Sequence, residues 1–458
     1  MSGVRDDEGV LSMAEEERAE LTRLVEQNDL TEIRLWLAEH PPYEIADELE
    51  RMDSSVAIIP FRLLDKDREL EVFEELDPVH QHEILVGLRD TAFHELLESM
   101  DPDDRARLIG EAPAKIATRA LAGLSPTERK MTAALLGYPE ESVGRYMTPE
   151  TVILHRDLTV GRALEVVRAK GAEAETVYTL PVVDDGRRLA GTVELSDLVI
   201  SDDETLLKDI VDVLVARVQA TEPAEGAARL MQDANLVALS VVDSEERFVG
   251  LLTFDDALEL IEAADSEDIA RQSAASPVAG HYVAVTVPRL ARARVLWLLL
   301  LIVASTLTVT VLQGFEATLE QVTALALFIP MLMGTGGNVG SQSATAIVRA
   351  LAVGEVRLRD LPKVAWKECR VGFMLGCILA SIALLIGWVV VPGGVSIAVA
   401  GSVIVVCTWA AVIGSTMPLL ARRVGVDPAV VSAPMVTTLV DATGLLIYFG
   451  IARAVLGI

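Results

Sequence analysis

Asp441 is a lone carboxylate in an otherwise apolar stretch, Val430-Val-Ser-Ala-Pro-Met-Val-Thr-Thr-Leu-Val-Asp-Ala-Thr-Gly-Leu-Leu-Ile-Tyr-Phe-Gly. Inside a bilayer an acid costs about 3 kcal/mol by insertion scales, so it normally faces water or a cation. Pro434 in the same stretch would loosen a helix and free a carbonyl one turn earlier. Carboxylate and freed carbonyl are the oxygen ligands that hard cations prefer. One such Asp from each of two symmetric copies, with hydrated Mg2+ between them, suits an ion that gives up its water reluctantly. The chemistry these residues point to is passage of a cation.

A second polar set lies in another apolar run, Pro330-Met-Leu-Met-Gly-Thr-Gly-Gly-Asn-Val-Gly-Ser-Gln-Ser-Ala-Thr. Its glycines allow close helix contact, and Asn338, Gln342 and Ser343 need partners or water; plain helix packing is the alternative reading. Other chemistries find little support. Cys369, Cys377 and Cys407 are not spaced as a metal or redox motif, and the six histidines are scattered. No nucleophile–base pair is apparent, so an enzyme is not expected.

The elements that must position these residues are apolar runs at one end of the chain. They cover Val295 to Leu312, then about Gln321 to Val348, Val371 to Val391, Ile397 to Leu420 and Val430 to Val455. Each approaches or exceeds the roughly 20 residues of a membrane-crossing helix. The segment Glu355 to Arg370 carries Arg357, Arg359, Lys363, Lys367 and Arg370, and the last connection carries Arg422 and Arg423. The opposite connections, Gly314 to Glu320 and Pro392 to Gly394, have no Lys or Arg. The positive-inside rule then puts the basic loops and the large N-terminal region in the cytoplasm, with Arg453 the one discordant charge. The start, MSGVRDDEGV, is acidic and shows no cleavable signal.

Charge divides the same way. From residue 291 onward there are 11 Lys and Arg against 7 Asp and Glu, a net of +4; the whole chain is −29, which leaves −33 for residues 1–290. So acidic a region will not bind nucleic acid through its phosphates. It concentrates cations, and it equally suits solubility in a salty cytosol.

Residues 41–126 show a repeat. Asp53, Asp65, Asp77, Asp90, Asp101 and Ser125 follow short apolar patterns, and Pro78, Pro102 and Pro126 come next. Asp or Ser is an N-cap and Pro suits the first helical position, which predicts short stacked helices. From about Gly144 to Asp265 strand-like and helical runs alternate. The phrases Pro181-Val-Val-Asp-Asp-Gly-Arg-Arg-Leu-Ala-Gly-Thr-Val-Glu-Leu-Ser-Asp-Leu and Ser240-Val-Val-Asp-Ser-Glu-Glu-Arg-Phe-Val-Gly-Leu-Leu-Thr-Phe-Asp-Asp-Ala are copies. The doubled unit resembles a tandem pair of CBS modules. In such modules a T-x-x-D element contacts the ribose of adenine nucleotides, which implies Thr253 and Asp256 in the second copy and Asp197 in the first. Glu194 stands at the first copy's Thr position, where a carboxylate repels phosphate. ATP is the nucleotide implied; a purely structural dimerisation module is the alternative.

The order of helical repeat, CBS pair, connecting helix and five spans resembles the MgtE family of magnesium channels. GTGGNVGSQSAT and DPAVVSAPMVTTLVDATGLLIYF carry the resemblance, which covers nearly the whole chain. It implies a multidomain α+β membrane protein: an α-helical repeat domain (1–139), CBS modules (140–202 and 203–266), a connecting helix (267–292) and a five-helix transmembrane domain (293–458). It further implies a homodimer in the plasma membrane that conducts Mg2+. The pore would be lined by spans two and five at Gly336, Gly337, Asn338, Ala433 and Pro434. Asp441 would bind hydrated Mg2+, with Thr437 one turn away lending oxygen. Ala433 stands where the family commonly has Asn. Mg2+ bound by Asp103, Glu225, Asp256, Glu259, Glu267 and Asp268 would close the pore, and Asn235 stands where the family often has an acid. The alternative function is an ion-coupled divalent carrier for Mg2+ or Co2+, although such carriers often show inverted repeats and several intramembrane charges.

Overall fold

Segments of eight to eleven residues, each with a few apolar positions and punctuated by acids and prolines, fold as successive short helices. These are α1 (Leu30–Glu39), α2 (Pro42–Glu50), α3 (Ser54–Phe61), α4 (Lys66–Glu74), α5 (Pro78–Gly87), α6 (Asp90–Ser99), α7 (Pro102–Glu111), α8 (Ala114–Gly123) and α9 (Pro126–Leu136). The structure, a computed structural model, describes residues 21–278, 282, 285–390, 394–431 and 433–458. Too short to stand alone, the helices share a core in which Ile33, Ile45, Phe61, Phe73, Ile84 and Phe93 are fully buried.

Capping by side chains holds in part. Asp77 accepts from the N–H groups of Val79 (2.8 Å) and His80 (3.0 Å), and Ser125 accepts from Glu128 (3.2 Å). Asp65 and Asp101 occupy the cap position without such a bond, and Asp90 is already helical, after Arg89. Arg105 anchors α7 from inside: wholly buried, it donates to Thr132 Oγ1 (3.0 Å) and to the carbonyls of Leu97 (3.1 Å) and Met100 (3.0 Å), and pairs with Glu128.

Two copies of a small α/β unit follow. The first has β1 (Leu154–His155), α10 (Val160–Lys170), β2 (Thr179–Val183), β3 (Leu189–Glu194) and α11 (Leu195–Ile200). After α12 (Leu207–Ile210) come β4 (Arg217–Gln219), α13 (Ala224–Ala234), β5 (Ala238–Val242), β6 (Phe248–Thr253) and α14 (Phe254–Gln272). In each three-stranded sheet the central strand is parallel to the first and antiparallel to the third. The copies join reciprocally: Leu189 N–H donates to Glu246 O and Phe248 N–H to Arg187 O, both at 3.0 Å. Ala106 of α7 and Leu135 of α9 share one core with Val218, Ala228, Leu252 and Ala257 of the second copy.

The chain divides into two compact units, one reaching Ala264 and the other holding Asp265–Val278 and Thr286–Ile458. The single connecting helix expected over 267–292 is interrupted. α14 ends at Gln272, Ala274 adopts a left-handed φ of +53°, and residues 273–278 are not helical. Pro277 disfavours helical backbone at Ser276 before it. Residues 279–281, 283 and 284 of that expectation lie outside the described residues.

The C-terminal helices are α15 (Val287–Gly314), α16 (Glu316–Gln321), α17 (Ile329–Ala352), α18 (Leu361–Val390), α19 (Gly394–Arg423) and α20 (Ala433–Leu456). Among the described residues, five helices are long and apolar enough to cross a membrane: Val287–Gly314, Thr323–Ala352, Leu358–Ile386, Gly394–Arg423 and Ala433–Leu456. Of these five, α19 is the most buried. A Cβ at Gly414 would lie 2.2 Å from the Gly340 carbonyl oxygen, so α19 and α17 touch through backbone.

Two expectations change here, and the discordant Arg453 gains partners. Pro434 lies in the first turn of α20, where a missing N–H opens no gap in the helix, so it does not free a carbonyl in mid-span. α18 begins before Val371 and therefore carries Glu368, a carboxylate beyond Asp441 on a helix long enough to span, which accepts from Ser343 Oγ at 2.8 Å. Arg453, discordant by the loop rule, is tied down: its Nε donates to Thr318 Oγ1 (3.0 Å) and its guanidinium lies 4.6 Å from the Phe315 ring centroid.

Candidate functional site

The first site forms where α17 meets α20. Glycines on α17 let the helices approach: a Cβ at Gly337 would sit 2.7 Å from Thr437 Cγ2, and one at Gly336 would sit 3.1 Å from Val440. Only a residue without a side chain fits at Gly337 while Thr437 keeps its place. Thr437 Oγ1 donates to Ala433 O at 2.9 Å and lies 3.0 Å from Ser341 Oγ. One turn on, Asp441 is half-buried, and its Oδ1 is buried with no hydrogen-bond partner. A buried carboxylate oxygen without a donor is costly unless a cation or ordered water meets it. Ala433 and Pro434 are half-buried beside this stretch, while Asn338 on α17 is exposed in the single chain. Gly336 and Gly337 are buried against α20 and serve helix contact within one copy.

The second site lies where α7 faces α14. Asp103, Glu175 and Asp256 each offer a carboxylate oxygen, all within 4.8 Å of one another. Asp103 is 4% exposed, and its Oδ1, like Glu175 Oε2, is buried without a partner. Burial first, then the neighbouring carboxylates Asp256 and Glu175, hold the Asp103 acid well above its ordinary range. Burial pushes Asp256 up to about 7, against a hydrogen bond from Thr253, and Glu175 up to about 8, against one from Thr148. Two like charges at this separation repel by about 3 kcal/mol at an effective dielectric of 20. Beside them Glu74, Asp101 and Asp104 form a second carboxylate group. Burial, with Asp104 and Asp101 adding repulsion, pushes Glu74 up to about 8. Both oxygen-only donor sets fit a hard divalent cation.

Known proteins agree with this layout. Residues 329–451 match the family described as divalent cation transporter, residues 40–141 match the MgtE intracellular N domain, and residues 143–204 and 207–263 match the CBS domain. The chain is 38% identical over 450 residues to the magnesium transporter MgtE of Thermus thermophilus, covering 97% of this chain and 99% of the relative. The chain belongs to the MgtE family of magnesium transporters. The Bacillus subtilis MgtE is 28% identical over 94% of this chain and 95% of its own length. A crystal structure of the cytosolic domain of the Mg2+ channel MgtE in complex with ATP is similar with a TM-score of 0.50 and 32% identity, over 53% of this chain and 100% of that one. Family members are transporters rather than enzymes, Mg2+ is the transported ion, and this is a multi-pass membrane protein.

Within the MgtE architecture the expected residues are placed unevenly. Asp103 and Asp256 meet, and Glu175, unforeseen, joins them. Glu259 pairs at 2.6 Å with Arg107. Glu225 lies outside both carboxylate groups and accepts from Arg229 at 2.8 Å. Glu267 shares Arg271 with Asp427, and Asp268 follows it on α14. Asn235 caps α13 in a left-handed conformation (φ +53°), which Asn tolerates well. Of the nucleotide residues, Thr253 Oγ1 donates to Asp256 Oδ2 at 2.6 Å, Glu194 accepts from Thr179 at 3.0 Å, and Asp197 lies in the first turn of α11. Glu74, Asp104, Glu175, Glu368 and Asp427 escaped sequence reasoning. Glu368 carried a usable signal in its helical spacing with the apolar run that follows it, and Asp427 in the cap pattern it forms with Pro428.

Proposed function

We propose that this protein is a Mg2+ channel of the plasma membrane, closed by Mg2+ on its cytoplasmic domains. The observation that carries the reading is the buried, unpartnered carboxylate oxygen of Asp441 on an otherwise apolar span, against the glycine face of α17. The cargo is a strongly hydrated cation, which a carboxylate can bind through its water without stripping it. Thr437, one turn away, adds hydroxyl and backbone oxygen to the same path.

A homodimer completes the pore in this reading. It places Asn338, exposed in one chain, towards the second copy. The CBS pair also exposes large aliphatic side chains, with Ile200 and Leu214 81% and 91% exposed, which suits burial against that copy.

Closure rests on the acids. Asp103, Glu175 and Asp256 would hold a regulatory Mg2+, which supplies the positive charge their mutual repulsion calls for. Without it the carboxylates push α7 from α14, or hold protons. Glu259 lies on α14 one turn from Asp256, Glu267 and Asp268 follow further along that helix, and Glu225 lies on α13. A ligand that favours one of two arrangements shifts their populations. Binding of ATP at the CBS pair extends to this chain from the relative crystallised with it; Thr253, Asp256 and Asp197 are the residues concerned.

Mg2+ uptake into proteoliposomes at a set membrane potential, with the Mg2+ on the cytoplasmic side varied, tests the reading. Flux that falls as that Mg2+ rises is expected, and it should fall less in Asp256→Asn. Uptake that needs a proton or sodium gradient would favour an ion-coupled carrier.

A further inference from the structure

The contact between α7 and α14 has two rungs of opposite character. α7 carries Asp103 and, four residues on, Arg107; α14 carries Asp256 and, three residues on, Glu259. Those spacings put each pair on one helix face. The first rung sets acid against acid, with Asp103 Oδ1 buried and unpartnered. The second sets Arg107 Nη1 2.6 Å from Glu259 Oε2, while Nη2 of the same guanidinium lies 2.9 Å from Asp104 Oδ1.

We propose that Arg107 is a resident counter-charge that does at the second rung what a divalent cation must do at the first, and so sets how much Mg2+ this clasp needs to close. The inference rests on the reading that Asp103 and Asp256 close on a cation. A guanidinium suits this role because it stays charged at every physiological pH and its planar fork can bind two carboxylates at once. Unlike Mg2+, it is tethered to α7 and does not vary with cytosolic supply. It therefore shifts the Mg2+ midpoint without abolishing the dependence. The Arg107 and Glu259 side chains are 25% and 59% exposed, so water screens the pair and the shift is modest. Pairs of this kind correspond to about a two- to fivefold change in an equilibrium.

The test is protection of the full-length protein from limited proteolysis, read as a function of Mg2+. Arg107→Gln should raise the protection midpoint about two- to fivefold. Arg107→Lys, which keeps the charge, should stay nearer the wild type. Adding Glu259→Gln to Arg107→Gln removes one of the two acids that Arg107→Gln strands, Asp104 being the other, and should return the midpoint part of the way towards the wild-type value. A merely structural role for Arg107 would not give that return. An unchanged midpoint in Arg107→Gln overturns the inference, as does a double variant no closer to wild type than the single. Asp103→Asn separates the two levels. If it shifts the midpoint while Arg107→Gln does not, only this inference fails. If the wild type shows no Mg2+-dependent protection, the clasp reading fails and this inference with it.

Discussion

Asp441 and Asp103 pose one physical problem in two surroundings. Each holds a carboxylate oxygen buried away from any donor, which an ordinary core avoids. Both were legible in the sequence, Asp441 because an acid stands out against an apolar run, Asp103 through the family resemblance. Glu175 was not, because it joins Asp103 from a loop more than 70 residues further along the chain and no local pattern marks it. Glu74 was hidden in the same way, and it supports a prediction of its own. A carboxyl whose folded pKa, about 8, exceeds its ordinary value binds its proton more tightly when folded. Its stabilising contribution is then complete below about pH 4.5 and is lost as pH rises through about 8. Without divalent cations, the first thermal transition of the wild type should fall between pH 6 and pH 9. Glu74→Gln should flatten that fall and stabilise the protein at pH 9 by about 1–3 kcal/mol. Melting curves in chelator at the two pH values check this, and an equally steep fall in the variant would contradict it.

The helices were legible where apolar runs and punctuation agree. Their ends were less so, for identifiable reasons. Lys363, Lys367 and Arg370 read as a loop, yet they lie within α18, because long basic side chains can reach water from the end of a span. Pro434 read as a mid-span break because the apolar run continues back to Val430, although the α-helix starts only at Ala433. Close packing between α17 and α19 was not readable either, since a glycine's role depends on the partner backbone. It predicts a contrast along α19. A Cβ at Gly414 would meet the Gly340 carbonyl oxygen at 2.2 Å, whereas one at Gly401 meets nothing closer than 3.9 Å. Gly414→Ala should destabilise the bundle by about 1–3 kcal/mol through overpacking. Gly401→Ala should leave it unchanged or slightly more stable, helped by the better helix propensity of Ala. Thermal melts of the detergent-solubilised variants make the comparison, and equal effects would contradict the contact.

At the scale of the whole molecule, the division of charge matches a division of labour. Residues 1–290 carry −33 and hold the two carboxylate groups, while the rest carries +4 and holds the spans. On the proposed function, the acidic part would concentrate the ion that the membrane part passes, so the transported species would also be the signal. Ion pairs temper this acidity at defined places, among them Arg107 against Glu259 and the buried Arg105 against Glu128. Composition revealed the charge but not its local neutralisation, which depends on tertiary pairing. The proposed function stands or falls on Mg2+ passing at Asp441. Its sharpest test is Mg2+ flux through Asp441→Asn in proteoliposomes, at fixed membrane potential and with Mg2+ low on the cytoplasmic side so that closure does not interfere. Passage at this carboxylate predicts at least about a tenfold loss, since removing a charge that binds the ion should cost about 1.4 kcal/mol or more, in a protein that still folds and shows normal Mg2+-dependent protection. Wild-type flux through that variant would contradict it.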